Sequence, residues 1–181
     1  MHRGGHSDRA VLSVSATSVQ LALSLGSNIN RYRHIRAGID ALQQHFGAVR
    51  CSPVYESAAV GFAGSAFLNM IVLVQSASSL AEVNRVLKQI EDDNGRDRNS
   101  PKFSARTLDI DVVTYADIAG VLEGITLPRP ELFKNAFVLL PLVDLLPQQQ
   151  VPGLQQSYSE LWASQGARGQ QLTQVPFDFK R

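Results

Sequence analysis

At 181 residues, 44% hydrophobic and 18% charged, the chain has the size and balance of one globular domain with a sizeable core. Its 17 basic and 16 acidic residues leave a net charge of +1, so there is no global field for nucleic acid and any anion site must be local. A single cysteine, Cys51, excludes an internal disulfide or a zinc site with several thiolates, and no apolar run approaches a membrane span or a secretory leader, so a cytoplasmic protein is expected.

Residues 1–18 are polar, small and aperiodic, and are read as a disordered extension outside the fold. Val19 to Leu25 alternates as a strand and runs into Gly26-Ser27-Asn28, a turn whose Gly and Asn permit positive φ. Ile35, Ile39, Leu42 and Phe46 recur at helical spacing, which predicts a helix from Arg31 to Phe46 with Gly47 as its stop. Val49 to Val60 and Phe67 to Val74 read as strands joined by Gly61-Phe62-Ala63-Gly64-Ser65, a glycine-bracketed loop able to fold over a ligand. Ser79-Leu80-Ala81-Glu82 fits a capping box, and Leu80, Val83, Leu87 and Ile90 carry a second helix to Asp93, ended by Asn94-Gly95.

A basic loop follows over residues 95–105, then a strand from Thr107 to Tyr115 and a short return from Val121 to Leu127 before Pro128 and Pro130 break the chain. Phe137-Val138-Leu139-Leu140-Pro141-Leu142 is apolar all round and is expected to pack centrally, with a last short helix over Tyr158 to Ser164 and a tail over residues 166–181. The order strand, helix, strand, strand, helix, strand predicts an α+β fold, a ferredoxin-like βαββαβ core with two helices on one face of an antiparallel sheet and a C-terminal extension.

Arg106-Thr107-Leu108-Asp109-Ile110-Asp111 carries the chemistry. Alternate strand residues share a face, so Asp109 and Asp111 point the same way while Leu108, Ile110 and Val112 anchor the other side. Two adjacent anions on a mostly buried strand require a cation or a proton; salt bridges to Arg106 and Arg98 would satisfy them, and so would metal. Arg96, Arg98, Lys102 and Arg106 crowd into the preceding loop as a candidate polyphosphate site. Aspartates hold magnesium through few oxygens, leaving positions for water and phosphate. No G-x-x-x-x-G-K-[ST] and no D-F-G kinase signature occurs, and the four histidines form no H-E-x-x-H, so P-loop, protein-kinase and zinc-hydrolase readings fall away. An RNA-binding ferredoxin-like module would need an aromatic RNP-type strand, which is missing.

Gly26-Ser27-Asn28, Tyr55 with Gly61, Phe67-Leu68-Asn69, Ile90-Glu91 with Gly95-Arg96-x-Arg98, the Arg106–Asp111 run, Leu127-Pro128-x-Pro130 and Phe137-Val138-Leu139-x-Pro141-Leu142 occur in an order and spacing that resembles 6-hydroxymethyl-7,8-dihydropterin pyrophosphokinase. The resemblance covers residues 19–147 and places the enzymatic domain over residues 19–165. It implies transfer of diphosphate from ATP to the pterin hydroxymethyl group, with release of AMP, in folate biosynthesis. Asp109 and Asp111 would ligate two magnesium ions, and Arg96, Arg98, Arg106, Thr126 and Arg129 would bind the nucleotide. Arg96 and Arg106 would also act in catalysis. Ser57, Val60, Phe67, Asn69, Phe103, Asp109 and Phe137 would hold the pterin, its ring between aromatic faces and its polar rim on amides. The expected partners are ATP and a hydroxymethyl dihydropterin, without nucleic acid or membrane, and the expected state is a monomer or weak homodimer.

The chain departs from the family pattern at four places. Arg129 stands where the family often has histidine, Asn135 where arginine is common, Phe103 at the loop tryptophan position, and Ala58-Ala59 where the pterin loop usually carries two prolines. These departures leave open a paralogue that binds pterin or nucleotide without efficient turnover. Phe67 and Phe137 could equally be core residues, Asn69 could be paired with backbone, Ser27 and Asn28 could serve only the turn, and Glu91 could be a plain salt-bridge partner.

Overall fold

The computed structural model describes residues 17–180, so most of the extension expected over residues 1–18 lies outside the described residues. The elements follow the expected order: β1 (Val19–Ser27), α1 (Arg31–Phe46), β2 (Arg50–Cys51), β3 (Val54–Ser57), β4 (Phe67–Ser76), α2 (Leu80–Asp93), β5 (Asp109–Tyr115), β6 (Gly120–Leu122), β7 (Ile125–Leu127), α3 (Ala136–Leu145), α4 (Tyr158–Gln165) and β8 (Thr173–Val175). Strands β5-β1-β4-β3-β8 form an antiparallel sheet in that order, and its first four members with α1 and α2 reproduce the ferredoxin-like arrangement.

Period-two alternation sorts the sheet into two apolar faces. Leu21, Leu23, Leu25, Leu68, Met70, Val72, Leu108, Ile110 and Val112 meet Ile35, Ile39 and Leu42 of α1 and Leu80, Val83, Leu87 and Ile90 of α2. Ala22, Ile71, Leu73 and Val113 project from the other side against Val138, Leu139 and Leu142 of α3 and Tyr158 and Leu161 of α4. The two core helices α1 and α2 therefore share one face, as expected, and α3 and α4 from the C-terminal extension cover the other. Each fully buried leucine contributes about 2 kcal/mol of transfer free energy, so both faces stabilise the sheet.

Local chemistry sets the element ends. Ser79 Oγ accepts the Glu82 N–H at 3.2 Å, as the capping motif predicts, while the Ala81 amide is taken by the Glu123 carboxylate from the β6–β7 hairpin. A complete capping box appears instead on α4, between Ser157 and Glu160. The strand expected over Val49 to Val60 is broken in two. Cys51 pairs with Val72 and Tyr55 with Asn69, so the outer strand carries one extra residue at Ser52-Pro53. Pro53 has no amide to donate; Ser52 N–H donates to the Ile71 carbonyl at 2.9 Å, and the Ser52 hydroxyl accepts the Ile71 N–H at 2.9 Å where a ladder carbonyl would. In the turn after β1 the positive φ belongs to Asn30, at 45°, rather than to Gly26 or Asn28. The tail segment is also built in: β8 joins the sheet edge on β3.

Candidate active site

The α3–α4 layer covers only part of its face of the sheet. Beyond the N-terminus of α3, the ends of β5, β1 and β4 remain open as the floor of a cavity of about 620 Å³. The register aligns Asp109 with Gly26 and Gly26 with Asn69, with Asp111 opposite Ser24 one step further along. A Cβ at Gly26 would stand 3.6 Å from Asn69 Oδ1 and 3.7 Å from the Phe67 ring, in ordinary van der Waals contact, so Gly26 lies between these two side chains on the floor.

Asp109 and Asp111 share this face, as alternation requires, and both carboxylates are half-exposed to the cavity. Their arginine partners are not the Arg106 and Arg98 that sequence suggested. Arg96 Nη1 donates to Asp109 Oδ1 at 2.8 Å, and Arg129 Nη2 lies 3.5 Å from Asp111 Oδ1. Arg129 is anchored where it stands, because its Nε donates to the Val112 carbonyl at 3.1 Å. Although the Asp111 side chain is open to the cavity on one side, the protein packed around it strips away enough water to push its carboxyl above the usual carboxylate range, and the neighbouring Asp109 adds to that. The Nε of Arg96 is buried without a hydrogen-bond partner, a cationic donor in the loop still able to take an anion.

Arg106, expected to contact phosphate, lines the cavity. Its guanidinium donates to the carbonyls of Pro101, Lys102 and Ala105 and to the hydroxyls of Ser100 and Ser104, which folds the loop around its own stem. Its backbone N–H donates to Asn28 Oδ1 at 2.7 Å, and Asn28 Nδ2 donates to the Ser65 carbonyl at 3.1 Å, so Asn28 ties the β1 turn to both loops. Arg98 does not reach the cavity: it pairs with Glu91 and Asp92 and donates to the Lys88 carbonyl. Thr126 is exposed on β7 and is likewise absent from the lining.

The expected ring-binding residues do converge. Phe67, Phe103 and Phe137 all line the cavity, with Ser57, Val60 and Asn69. Asn69 Nδ2 donates to Ser57 Oγ at 2.7 Å, which holds the amide across β3 and β4. Phe103 is exposed and lies over Gly61, whose φ of +81° and lack of a Cβ let the ring approach. Phe62, edge-on to Phe67 at 6.4 Å, also lines the cavity, as do Ser24, Ser100 and Lys102. Phe62 belongs to the glycine-bracketed loop whose composition predicts closure over a ligand, whereas Ser24 carries no signal in the sequence, because only the fold brings it to this end of the sheet.

Behind the carboxylates, buried Glu91 accepts the Ile110 N–H at 3.0 Å and the Arg98 Nη1 at 3.1 Å. β5 is an edge strand, and this carboxylate takes the outward amide between the two aspartates that a further strand would otherwise take. Burial pushes the Glu91 carboxyl from 4.5 up to about 7, against the pull of the Ile110 amide and with a contribution from nearby Asp109. The folded state therefore binds this proton more tightly than the unfolded chain. The stability it confers is fully present below about 4.5 and is lost as pH rises through about 7. Glu91→Gln has no charge to bury, so its Tm relative to wild type should climb between about pH 5 and about pH 8. A Tm difference independent of pH would refute this account of Glu91.

Magnesium fits the donor set. Among the described residues no third His, Cys, Asp or Glu joins Asp109 and Asp111, so the protein offers the small set of hard oxygens with which magnesium is held jointly with phosphates. Cys51 is no rival nucleophile, since burial pushes its thiol up to about 11. No helix among the described residues is long and apolar enough to cross a membrane.

Paired strand carboxylates facing a cationic loop and a ring-lined cavity are the equipment of a metal–nucleotide phosphotransferase. Residues 22–147 match the model of the family described as 7,8-dihydro-6-hydroxymethylpterin-pyrophosphokinase (HPPK), and the chain belongs to that family. It is 32% identical over 130 residues to the Bacillus subtilis 2-amino-4-hydroxy-6-hydroxymethyldihydropteridine pyrophosphokinase, covering 70% of this chain and 77% of that one. The Aquifex aeolicus protein of the same name is 32% identical over 127 residues, covering 69% and 79%. A mitochondrial folate synthesis bifunctional protein of Arabidopsis thaliana is 33% identical over 138 residues, of which this chain spans only 25%. The fold also matches the crystal structure of Plasmodium falciparum HPPK-DHPS with pterin and p-hydroxybenzoate, with a TM-score of 0.68 at 15% identity, over 87% of this chain and 45% of that one.

Proposed function

We propose that this chain transfers the terminal diphosphate of ATP to the hydroxymethyl group of 6-hydroxymethyl-7,8-dihydropterin and releases AMP, a step of folate biosynthesis. The observation that carries the reading is the placement of Asp109 and Asp111 on one face, beneath Arg96 and beside a cavity ringed by Phe67, Phe103 and Phe137, in a chain of this family. The bond that forms joins the hydroxymethyl oxygen to the β-phosphorus. The bond that breaks lies between the β-phosphorus and the bridging oxygen that leaves with AMP, and the alcohol proton passes to solvent.

Asp109 and Asp111 would hold magnesium, two ions in this reading, which supplies neutralisation of the phosphate charge. The protein's own residues bind and orient. Arg96, with a buried unpartnered Nε, would turn to the phosphates as the loop over residues 95–105 closes, and Arg129 supplies a second fixed cation beside Asp111. Arg106 supports that loop from inside, so its contribution is the shape of the closed site. The aromatic rings would hold the faces of the pterin and Asn69 its polar rim. No side chain is needed as a base, since the alcohol can lose its proton late in the transfer.

Nothing favours the weakened-paralogue reading: Arg129 retains a cation and Phe103 retains a ring at their positions. Action in the cytoplasm, as a monomer or weak homodimer, belongs to the same proposal. Incubation with magnesium, ATP and the hydroxymethyl dihydropterin should yield AMP in step with the diphosphorylated pterin. ADP in place of AMP, or no nucleotide turnover, would overturn it.

A further inference from the structure

Helix α3 begins without a cap of its own. Asn135 occupies the N-cap position but makes no side-chain cap hydrogen bond, although the first amides of a helix have no intrahelical acceptor. Its first amide is satisfied from elsewhere in the chain. Gln170 Oε1 accepts the Ala136 N–H at 2.7 Å, and Gln170 Nε2 donates to the Lys134 carbonyl at 2.9 Å. One side-chain amide thus grips both sides of the α3 entry.

Gln170 lies in the segment after α4, outside residues 22–147 of the family match. A few residues later the same segment becomes β8, pairing Thr173 with Glu56 and Val175 with Val54. β3 leads directly into Ser57 and the loop through Gly61, one wall of the cavity, while Asn135 and Phe137 flank Ala136 on the other. The segment is therefore attached to both walls. Gln170 and Thr173 also line a second cleft of about 510 Å³ together with Val60 and Phe137.

We propose that Gln170 is a positioning residue for the pterin side of the site: by clasping the α3 entry while β8 holds β3, it fixes the distance between Phe137 and the Ser57–Val60 wall and so sets affinity for the pterin ring. The proposal rests on the reading that the pterin occupies this cavity. The side-chain hydrogen bonds of Gln170 go to Ala136 and Lys134 and not to β5 or the 95–105 loop, so the effect should fall mainly on the pterin.

The test uses the full chain with Gln170→Ala and Gln170→Glu. Loss of two neutral hydrogen bonds sets the scale: Gln170→Ala should raise the KM for the pterin by about three- to tenfold, while the KM for ATP and kcat stay within about twofold. Gln170→Glu keeps the acceptor for the Ala136 N–H at a helix N-terminus, where negative charge is favoured, but has no N–H for the Lys134 carbonyl, so it should recover part of the loss and fall between wild type and Gln170→Ala. Fluorescence titration of the non-reactive oxidised 6-hydroxymethylpterin, with a non-hydrolysable ATP analogue present, should show the same order of affinities. Equal rises in both KM values, or an unchanged pterin affinity in Gln170→Ala, would overturn the clasp. Failure of the parent reading would look different, because wild type itself would then neither bind the pterin nor release AMP.

Discussion

Replacing Asp111 with Asn should lower AMP release by about three orders of magnitude, the scale at which loss of electrostatic stabilisation at a reacting centre is read. Fold integrity should survive, because burial and the Asp109 charge already disfavour the ionised Asp111 carboxylate. A neutral amide removes that cost, so the Tm without metal should equal or exceed that of wild type. Binding of Mn2+, followed by the paramagnetic signal of the free ion, should fall together with turnover. Near-normal AMP release in this variant would sink the assignment of the aspartates to metal.

Arg96→Ala should lower kcat by about a hundredfold or more, with the KM for either substrate changed by less than about threefold, the pattern of an interaction made mainly in the transition state. The ion pair at 2.8 Å supplies a second readout of opposite sign. Removing the guanidinium leaves Asp109 without its partner, so Mn2+ alone should bind more tightly, by about fivefold for a partly exposed pair of about 1 kcal/mol. A variant changed only in nucleotide affinity would count against a role for Arg96 in closing the site.

Local patterns in the sequence match the fold where they rest on short-range physics. Helical spacing placed α1 and α2 at their observed limits, because each apolar stripe has a single face to bury. Alternation put Asp109 and Asp111 on one side of β5 for the same reason. The strand through Val49 to Val60 failed at Ser52-Pro53, where a hydroxyl replaces a ladder bond, and periodicity alone cannot reveal that exchange. Of the basic run, Arg96 points to the aspartates, Arg106 turns inward and Arg98 turns back to α2. A guanidinium can reach any of several acceptors, and only the folded path of the loop chooses among them.

The βαββαβ order, the shared face of the two carboxylates and, through the motifs from Gly26 to Leu142, the family are all legible in the amino-acid pattern. Tertiary structure alone decided that Arg96 and Arg129, rather than Arg106 and Arg98, neutralise the aspartates, that Glu91 completes the edge of β5, and that Gln170 caps a helix 34 residues before it. The division has one physical cause. Backbone geometry repeats along the chain and leaves a periodic trace in the sequence, whereas side-chain pairing across distant segments leaves none and is fixed only when the sheet brings those segments together.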